Sequence, residues 1–249
     1  MRRVVVVADD HEGGEVAAEI IADRVGTRAS FVLGIATGST PLTTWGALEA
    51  QGLDLSGIDA FALDEYIGLP QGHPESFESV VRREVVMPLG LDPERVHVPV
   101  SHGVDPHLAA ARYEQSIVDA GGIDVQILGI GRNSHLAFNE PGSPLDSLTR
   151  VARLSAQTRE DNARFFSSTE LVPTECITQG LGTIARARTL VLLAFGDHKA
   201  RALAAALEGP VGPQVPASIV QRHPQVVVIA DRRAASLLTP AGAERRASA

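Results

Sequence analysis

The run Gly129-Ile130-Gly131-Arg132-Asn133-Ser134-His135-Leu136-Ala137-Phe138-Asn139-Glu140-Pro141 sets an imidazole and a carboxylate in one glycine-rich segment. Val125-Gln126-Ile127-Leu128, just before it, reads as a buried strand. The pair therefore falls at a strand's carboxyl end, where open α/β sheets bind their ligands. Histidine titrates near neutral pH and a carboxylate can orient and charge it, so the chemistry on offer is proton shuttling. A loop histidine can equally be a hydrogen-bonded structural group. Its position after a strand, and Glu140 held extended before Pro141, favour the chemical reading.

Three other places could act on the same ligand. Asp64 and Glu65 close the apolar run Ile58–Leu63. Adjacent acids there are either solvated turn residues or, at the carboxyl edge of a sheet, a general base. Thr37-Gly38-Ser39-Thr40-Pro41 follows an apolar run and precedes a helical pattern that opens at Pro41, with Thr40 as its cap. This is an ordinary strand-to-helix turn or a phosphate cradle, since free N–H groups and the positive helix end suit an anion. No Gly-Lys-Ser/Thr follows, so it is not the lysine-bearing nucleotide loop. Asp197 is expected to cap a helix that carries Lys199 in its first turn. A cation there opposes the helix dipole unless it points into water or an anionic ligand cancels the cost.

The elements that must hold these residues alternate. Val4–Val7, Phe31–Ile35, Ile58–Leu63, Val125–Leu128, Leu190–Phe195 and Val226–Ile229 are near-continuously apolar, as in a parallel sheet covered on both faces. Between them run helical patterns over Glu12–Arg24, Leu42–Glu49, Phe77–Met87, Pro106–Asp119, Leu181–Arg186 and Lys199–Leu207. The expectation is α/β: a single-domain, three-layer, doubly wound, mostly parallel sheet over 1–240, with a frayed tail at 241–249. The 249 residues suffice for one sizeable core and hardly for two.

Composition narrows the partners. A net charge of −8 offers no basic stripe for nucleic acid. No stretch reaches the roughly 20 apolar residues that span a bilayer, and the apolar start is too short for a signal-peptide core. Cys176 is the only cysteine, so no internal disulfide forms; the expected compartment is the cytoplasm, with Cys176 as an apolar filler. His97, His102 and His107 are spaced for neither a helical metal face nor a cysteine-supported site, and are expected in a solvated connection. Gly129-x-Gly131 opens a dinucleotide pattern whose third glycine is Ser134, with Pro141 where a helix should run, so NAD binding is rejected.

The His135 run resembles the glucosamine-6-phosphate deaminase family. Ala36-Thr37-Gly38-Ser39-Thr40-Pro41 is similar to that family's phosphate loop, and Leu63-Asp64-Glu65-Tyr66-Ile67-Gly68-Leu69-Pro70 to its catalytic segment, with His73-Pro74-Glu75-Ser76 following. Thr158-Arg159 through Asn162-Ala163-Arg164-Phe165-Phe166 and Gly196-Asp197-His198-Lys199-Ala200 resemble two further blocks, all in family order.

The resemblance implies a Rossmann-like sugar-phosphate isomerase fold and a metal- and cofactor-independent hydrolase. It would convert glucosamine 6-phosphate and water into fructose 6-phosphate and ammonia. Asp64 would move a proton from C2 to C1 of the open-chain sugar. His135, supported by Asn133 and Glu140, would open the ring. Thr37, Gly38, Ser39, Thr40, Arg164 and Lys199 would hold the phosphate, and Glu65 and Tyr66 would support from behind.

Two residues depart from the family pattern. Asn133 stands where an aspartate is usual; it is expected to hydrogen-bond the imidazole without adding charge, leaving Glu140 the only nearby anion and His135 with a low pKa. Ser134 replaces a glycine and carries strain if φ there is positive. Ala152 stands where a lysine of a known allosteric site is found beside the match to Arg150, so a hyperbolic substrate curve is expected. The alternatives are a 6-phosphogluconolactonase-like hydrolase and a non-catalytic sugar-phosphate sensor. Galactosamine 6-phosphate and a homo-oligomer both stay open.

Overall fold

The computed structural model describes residues 2–26, 30–239 and 244–245. Its backbone is an eight-stranded sheet in which every pairing is parallel, in the order β11-β1-β10-β9-β6-β2-β3-β5. The strands are β1 (Arg2–Val7), β2 (Val32–Ile35), β3 (Asp59–Ala62), β5 (Val96–His97), β6 (Val125–Gly129), β9 (Thr189–Ala194), β10 (Val226–Asp231) and β11 (Glu244–Arg245). The central ones are apolar on both faces because helices cover both: β9 is buried at all six positions, and β2 at all four.

The helices are α1 (Asp10–Val25), α2 (Leu42–Ala50), α3 (Phe77–Val81), α4 (Met87–Leu89), α5 (Pro106–Asp119), α6 (Ala156–Asn162), α7 (Leu181–Ala185) and α8 (Ala200–Glu208). A π-helical turn, Arg82–Val86, joins α3 to α4. Local chemistry sets several starts. The Asp9 carboxylate accepts from the Glu12 N–H at α1, the Asp105 carboxylate from Leu108 at α5, and the Ser155 hydroxyl from Thr158 at α6.

From β2 the chain winds one way through β3 to β5; from β6 it winds the other way through β9 and β10. The winding reverses between β2 and β6, so their carboxyl ends open the crevice where such sheets bind ligands. A smaller antiparallel sheet lies against this edge, built from β4 (Asp64–Tyr66), β8 (Glu175–Thr178) and β7 (Arg150–Arg153).

Several local expectations are corrected here. Asp64 and Glu65 do not end a strand in a turn; they open β4, and Asp64 pairs with Thr178. The helix after the Thr37–Thr40 loop begins at Leu42, with Pro41 as its flanking residue and no side-chain cap, so Thr40 is free to face the crevice. Asp197 caps nothing: it lies exposed in a single 3-10 turn, Asp197–Lys199, ahead of α8, and the Gly196 N–H is held instead by Asp231. His97 is not in a solvated connection but in β5, its ring stacked 4.5 Å from Phe61; His107 lies in α5, and His102 alone is in an exposed loop. Of the tail 241–249, Glu244 and Arg245 pair with β1; the remainder lies outside the described residues. No helix among the described residues is long and apolar enough to cross a membrane.

Candidate active site

The crevice between β2 and β6 holds a cavity of about 450 Å³, a size suited to a small metabolite. Thr37, Gly38, Ser39, Thr40, Asp64, His135, Arg164 and Lys199 all line it, although they come from segments far apart in the chain. Asn133 and Glu140 stand behind His135 and do not line the cavity. Gly38 takes φ +89°, a left-handed conformation that a side chain would strain, and so turns the loop after β2.

Asp64 is nearly sealed from solvent by the small sheet. Burial pushes its carboxyl well above the usual range, and the Glu65 charge adds to this; the Phe138 N–H opposes it by hydrogen bonding the carboxylate. A carboxylate held this way binds a proton more tightly than one in water, the property a general base needs. Glu65 has a structural task. Its carboxylate accepts from the N–H groups of Tyr66, Phe77 and Glu78 at 2.7, 2.9 and 2.7 Å, so an anion pins β4 to the amino end of α3. Tyr66 packs against Phe77, Phe138 and Phe166, and its hydroxyl accepts from Asn162 at 2.9 Å. These rings form an apolar wall beside Asp64.

The His135 loop closes on itself. The Gly131 N–H donates to His135 O and the Ser134 N–H to Gly131 O, both at 3.0 Å. The ring lies over Gly131 so closely that a Cβ there would sit 2.3 Å from it, which is why only glycine fits. Ser134 has φ +67°, so the condition for strain at this serine is met; Ala137 shares the left-handed conformation at φ +50°.

Asn133 does not bond the imidazole, contrary to expectation. Its Oδ1 accepts from the His135 backbone N–H at 3.2 Å and its Nδ2 donates to Glu140 Oε2 at 2.8 Å. The ring's Nδ1 is buried without a hydrogen bond and stands 3.8 Å from the same Glu140 oxygen. Burial lowers the His135 pKa; Glu140 opposes this, and Asp161 adds to Glu140, so Glu140 is not the only anion within influence. Glu140 is itself held down. Burial favours its neutral form, but the Thr158 hydroxyl, the His135 ring, the Asn133 amide and the Ser155 N–H together outweigh it.

Asn133 is one of the four groups that keep Glu140 charged, after the Thr158 hydroxyl and the His135 ring. In Asn133→Asp a second carboxylate would replace the amide donor beside Glu140. The added negative charge is expected to raise the His135 pKa and move the acid limb of the rate profile upward. Histidine titration by NMR, alongside kcat/KM against pH, reads both.

Cations line the cavity too. Lys199 Nζ donates to Ile130 O at 2.6 Å, and its ammonium pKa is lowered by burial first, with Arg164 and Arg132 repelling it and Asp161 opposing them. Arg164 lies over the Phe165 ring, 4.7 Å from its centre, and Arg132 pairs with Asp161 at 3.3 Å. Three cations with one carboxylate among them are a place where a dianion would be stabilised. Arg132 and Asp161 carry no role in the sequence reading; the Ser155 hydroxyl caps α6 and so seats Thr158 against Glu140. Cys176 is sealed in β8 and burial pushes its thiol well up, as a filler should be. The Arg150 guanidinium is committed to Asn139 and Ser143. The described residues hold no cluster of three or more metal-ligating His, Cys, Asp or Glu.

Doubly wound topology, a cavity at its winding reversal, a buried carboxylate and imidazole, and cations along the same cavity define an α/β protein built to bind an anion and move protons on it. Residues 10–229 match the family of glucosamine-6-phosphate isomerases/6-phosphogluconolactonase, and the chain belongs to it. Over 96% of its length it is 53% identical to a glucosamine-6-phosphate deaminase of Cutibacterium acnes, covering 93% of that protein. It is 50% identical to one from Streptomyces avermitilis, over 94% of this chain and 92% of the other. Among solved structures, a monomeric glucosamine-6-phosphate deaminase superposes with TM-score 0.91 at 37% identity, covering 94% of this chain and 99% of that one. A 6-phosphogluconolactonase from Trypanosoma cruzi shares the fold, with TM-score 0.78 at 19% identity.

Proposed function

We propose that the chain deaminates glucosamine 6-phosphate to fructose 6-phosphate and ammonia. The observation that carries this reading is the convergence of Asp64, His135 and Lys199 on one cavity. It is supported by relatives of that name at about half identity over nearly the whole chain. The phosphate sits among Arg164, Lys199 and the Thr37–Thr40 loop, and spends remote binding energy on orienting C1 and C2. His135 takes the anomeric hydroxyl proton and returns one to the ring oxygen, which opens the sugar to its aldehyde. Its low pKa keeps it neutral and ready to accept, and Glu140 stabilises the imidazolium that forms.

Asp64 then removes the C2 proton, giving an enolamine, and delivers a proton to C1. The product is an imine at C2, and water adds to it to release ammonia. Ring opening and the C2-to-C1 transfer are isomerase steps; the last is hydrolysis, which makes the net reaction hydrolytic. These steps use this chain's own side chains and substrate water. The cytoplasm is the compartment we assign, because a lone thiol and the absence of disulfides suit a reducing one.

The test is release of ammonia and fructose 6-phosphate from glucosamine 6-phosphate by the native chain. Lys199→Gln is expected to lower kcat/KM about 10- to 100-fold, chiefly through KM, since a hydrogen bond to a charged group contributes about 1.5–3 kcal/mol. Tight binding of the sugar without ammonia release would leave a sensor. Turnover of 6-phosphogluconolactone in its place would leave a lactonase.

A further inference from the structure

The chain crosses from the main sheet to the small one within a single residue: β3 ends at Ala62, β4 opens at Asp64, and Leu63 lies between. Ala62 and Leu63 are buried, so carbonyls that the crossing takes out of the ladder need other partners. Gln179, fully buried just after β8, supplies them. Its backbone N–H donates to Leu63 O at 2.7 Å and its Nε2 to Ala62 O at 3.0 Å. The Tyr113 hydroxyl donates to the same Ala62 O at 2.6 Å.

Gln179 is tied in turn to the His135 loop. Asn139, also fully buried, donates from Nδ2 to Gln179 O at 2.8 Å and to Leu136 O at 3.0 Å. Its Oδ1 accepts from Arg150 at 2.7 Å, so the amide is held from both sides. One carboxamide thus bridges the residue after the imidazole and the residue that grips the approach to Asp64. The neighbouring Phe138 N–H reaches Thr178 Oγ1 at 3.2 Å and hydrogen bonds the Asp64 carboxylate. Neither Asn139 nor Gln179 lines the catalytic cavity.

A satisfied buried amide is common and by itself says nothing of function. Here the bridged segments are the two whose separation decides whether an imidazole and a carboxylate reach one hexose. We infer that Asn139, seated on Gln179, is a positioning residue that fixes the His135 loop against the strand of Asp64. The roles of those two groups rest on the deaminase reading; the bridge itself rests on the hydrogen bonds.

Asn139→Ala removes the bridge without adding charge. It is expected to lower kcat on glucosamine 6-phosphate about 10- to 100-fold, since a displacement of about 1 Å at reacting groups can cost about 10²-fold. KM should stay within about two-fold, because Arg164, Lys199 and the Thr37–Thr40 loop are untouched. With Phe138 slackened, its N–H should hold the carboxylate less well, and Asp64 should titrate higher still by NMR. The titratable groups facing Asp64 are Glu65 and Tyr66 on its own strand, Cys176 on β8 and Tyr113 on α5, and all are kept.

Ile21→Val, deep in α1, is the control: it should lower the melting temperature and leave kcat and the Asp64 titration as they are. Gln179→Met keeps the backbone bonds and loses the bond to Ala62 O; smaller changes of the same sign are expected, and this variant decides the matter where Asn139→Ala fails to fold. A native chain that releases no ammonia would end the deaminase reading, and the Asp64 titration alone would then judge the bridge. An Asp64 titration unmoved in the folded variants, a native kcat well below the melting temperature, or a loss confined to KM would each overturn the inference.

Discussion

Asp64→Asn is expected to lower kcat about 10²- to 10⁴-fold and, at neutral pH, to raise the melting temperature. The first effect follows because the amide cannot accept the C2 proton, while a carboxamide of the same shape keeps the contacts of the cavity. The second follows from burial. The folded protein holds the Asp64 carboxyl well above its usual pKa, with sealing from water as the main cause and the Glu65 charge as the next. The folded state therefore binds this proton more tightly than the unfolded chain does. Stability from this group is fully present below the unfolded value, about 3.9, and is lost as pH rises through the folded one.

Asparagine never ionises, so its advantage should be small near about pH 4 and grow toward neutrality. Melting curves of both proteins at the two pH values check this. Equal melting temperatures at neutral pH would mean that the carboxylate is solvated and the cavity more open than described. A base that destabilises its own fold is the trade expected where function is built on burial.

His135→Gln is the second large effect, a fall in kcat/KM of about 10²- to 10⁴-fold on the closed-ring substrate, with the acid limb of the pH profile removed. The linkage runs opposite to that of Asp64. Burial lowers the imidazole pKa, ahead of the opposing pull of Glu140, so the folded state resists the proton that the unfolded chain accepts. Stability from the neutral ring is present above the unfolded value, about 6.5, and declines as pH falls below it. The glutamine variant should lose less melting temperature than the native chain between about pH 7.5 and about pH 5.5. An unchanged slope would show that Glu140 compensates the charge in full. The ring's Nδ1 makes no hydrogen bond in the resting site, so little structure is lost with it. Asn133 and Glu140 keep their bond to each other, and the loop keeps its backbone closure through Gly131.

The main sheet was legible because its strands are apolar at nearly every position, a pattern that burial on both faces demands. β9 and β2 show it plainly, and the runs read from sequence fall within a residue or two of the strands observed. The small sheet was not legible. β4 is Asp-Glu-Tyr, β7 has only half-buried or exposed positions, and both are strands only because β8 pairs with them across more than a hundred residues in one case. Short strands of mixed composition take their conformation from such partners more than from their own residues.

The same division holds at the site. Sequence by itself determined which chemistry the chain could carry: a carboxylate and an imidazole placed after apolar strands, a glycine turn before a helix, a lysine after the fifth long strand. It also determined the parallel architecture, because burial imposes a pattern that neighbouring residues record. Only the tertiary structure decided that Asn133 serves Glu140 and the loop backbone in place of the imidazole, and that Arg132 and Asp161 join Lys199. It alone decided, too, that Asp64 is sealed under a second sheet. The physical reason is that side-chain partners and desolvation depend on distances between segments remote in the chain, and those distances exist only once the sheet has brought its ends together.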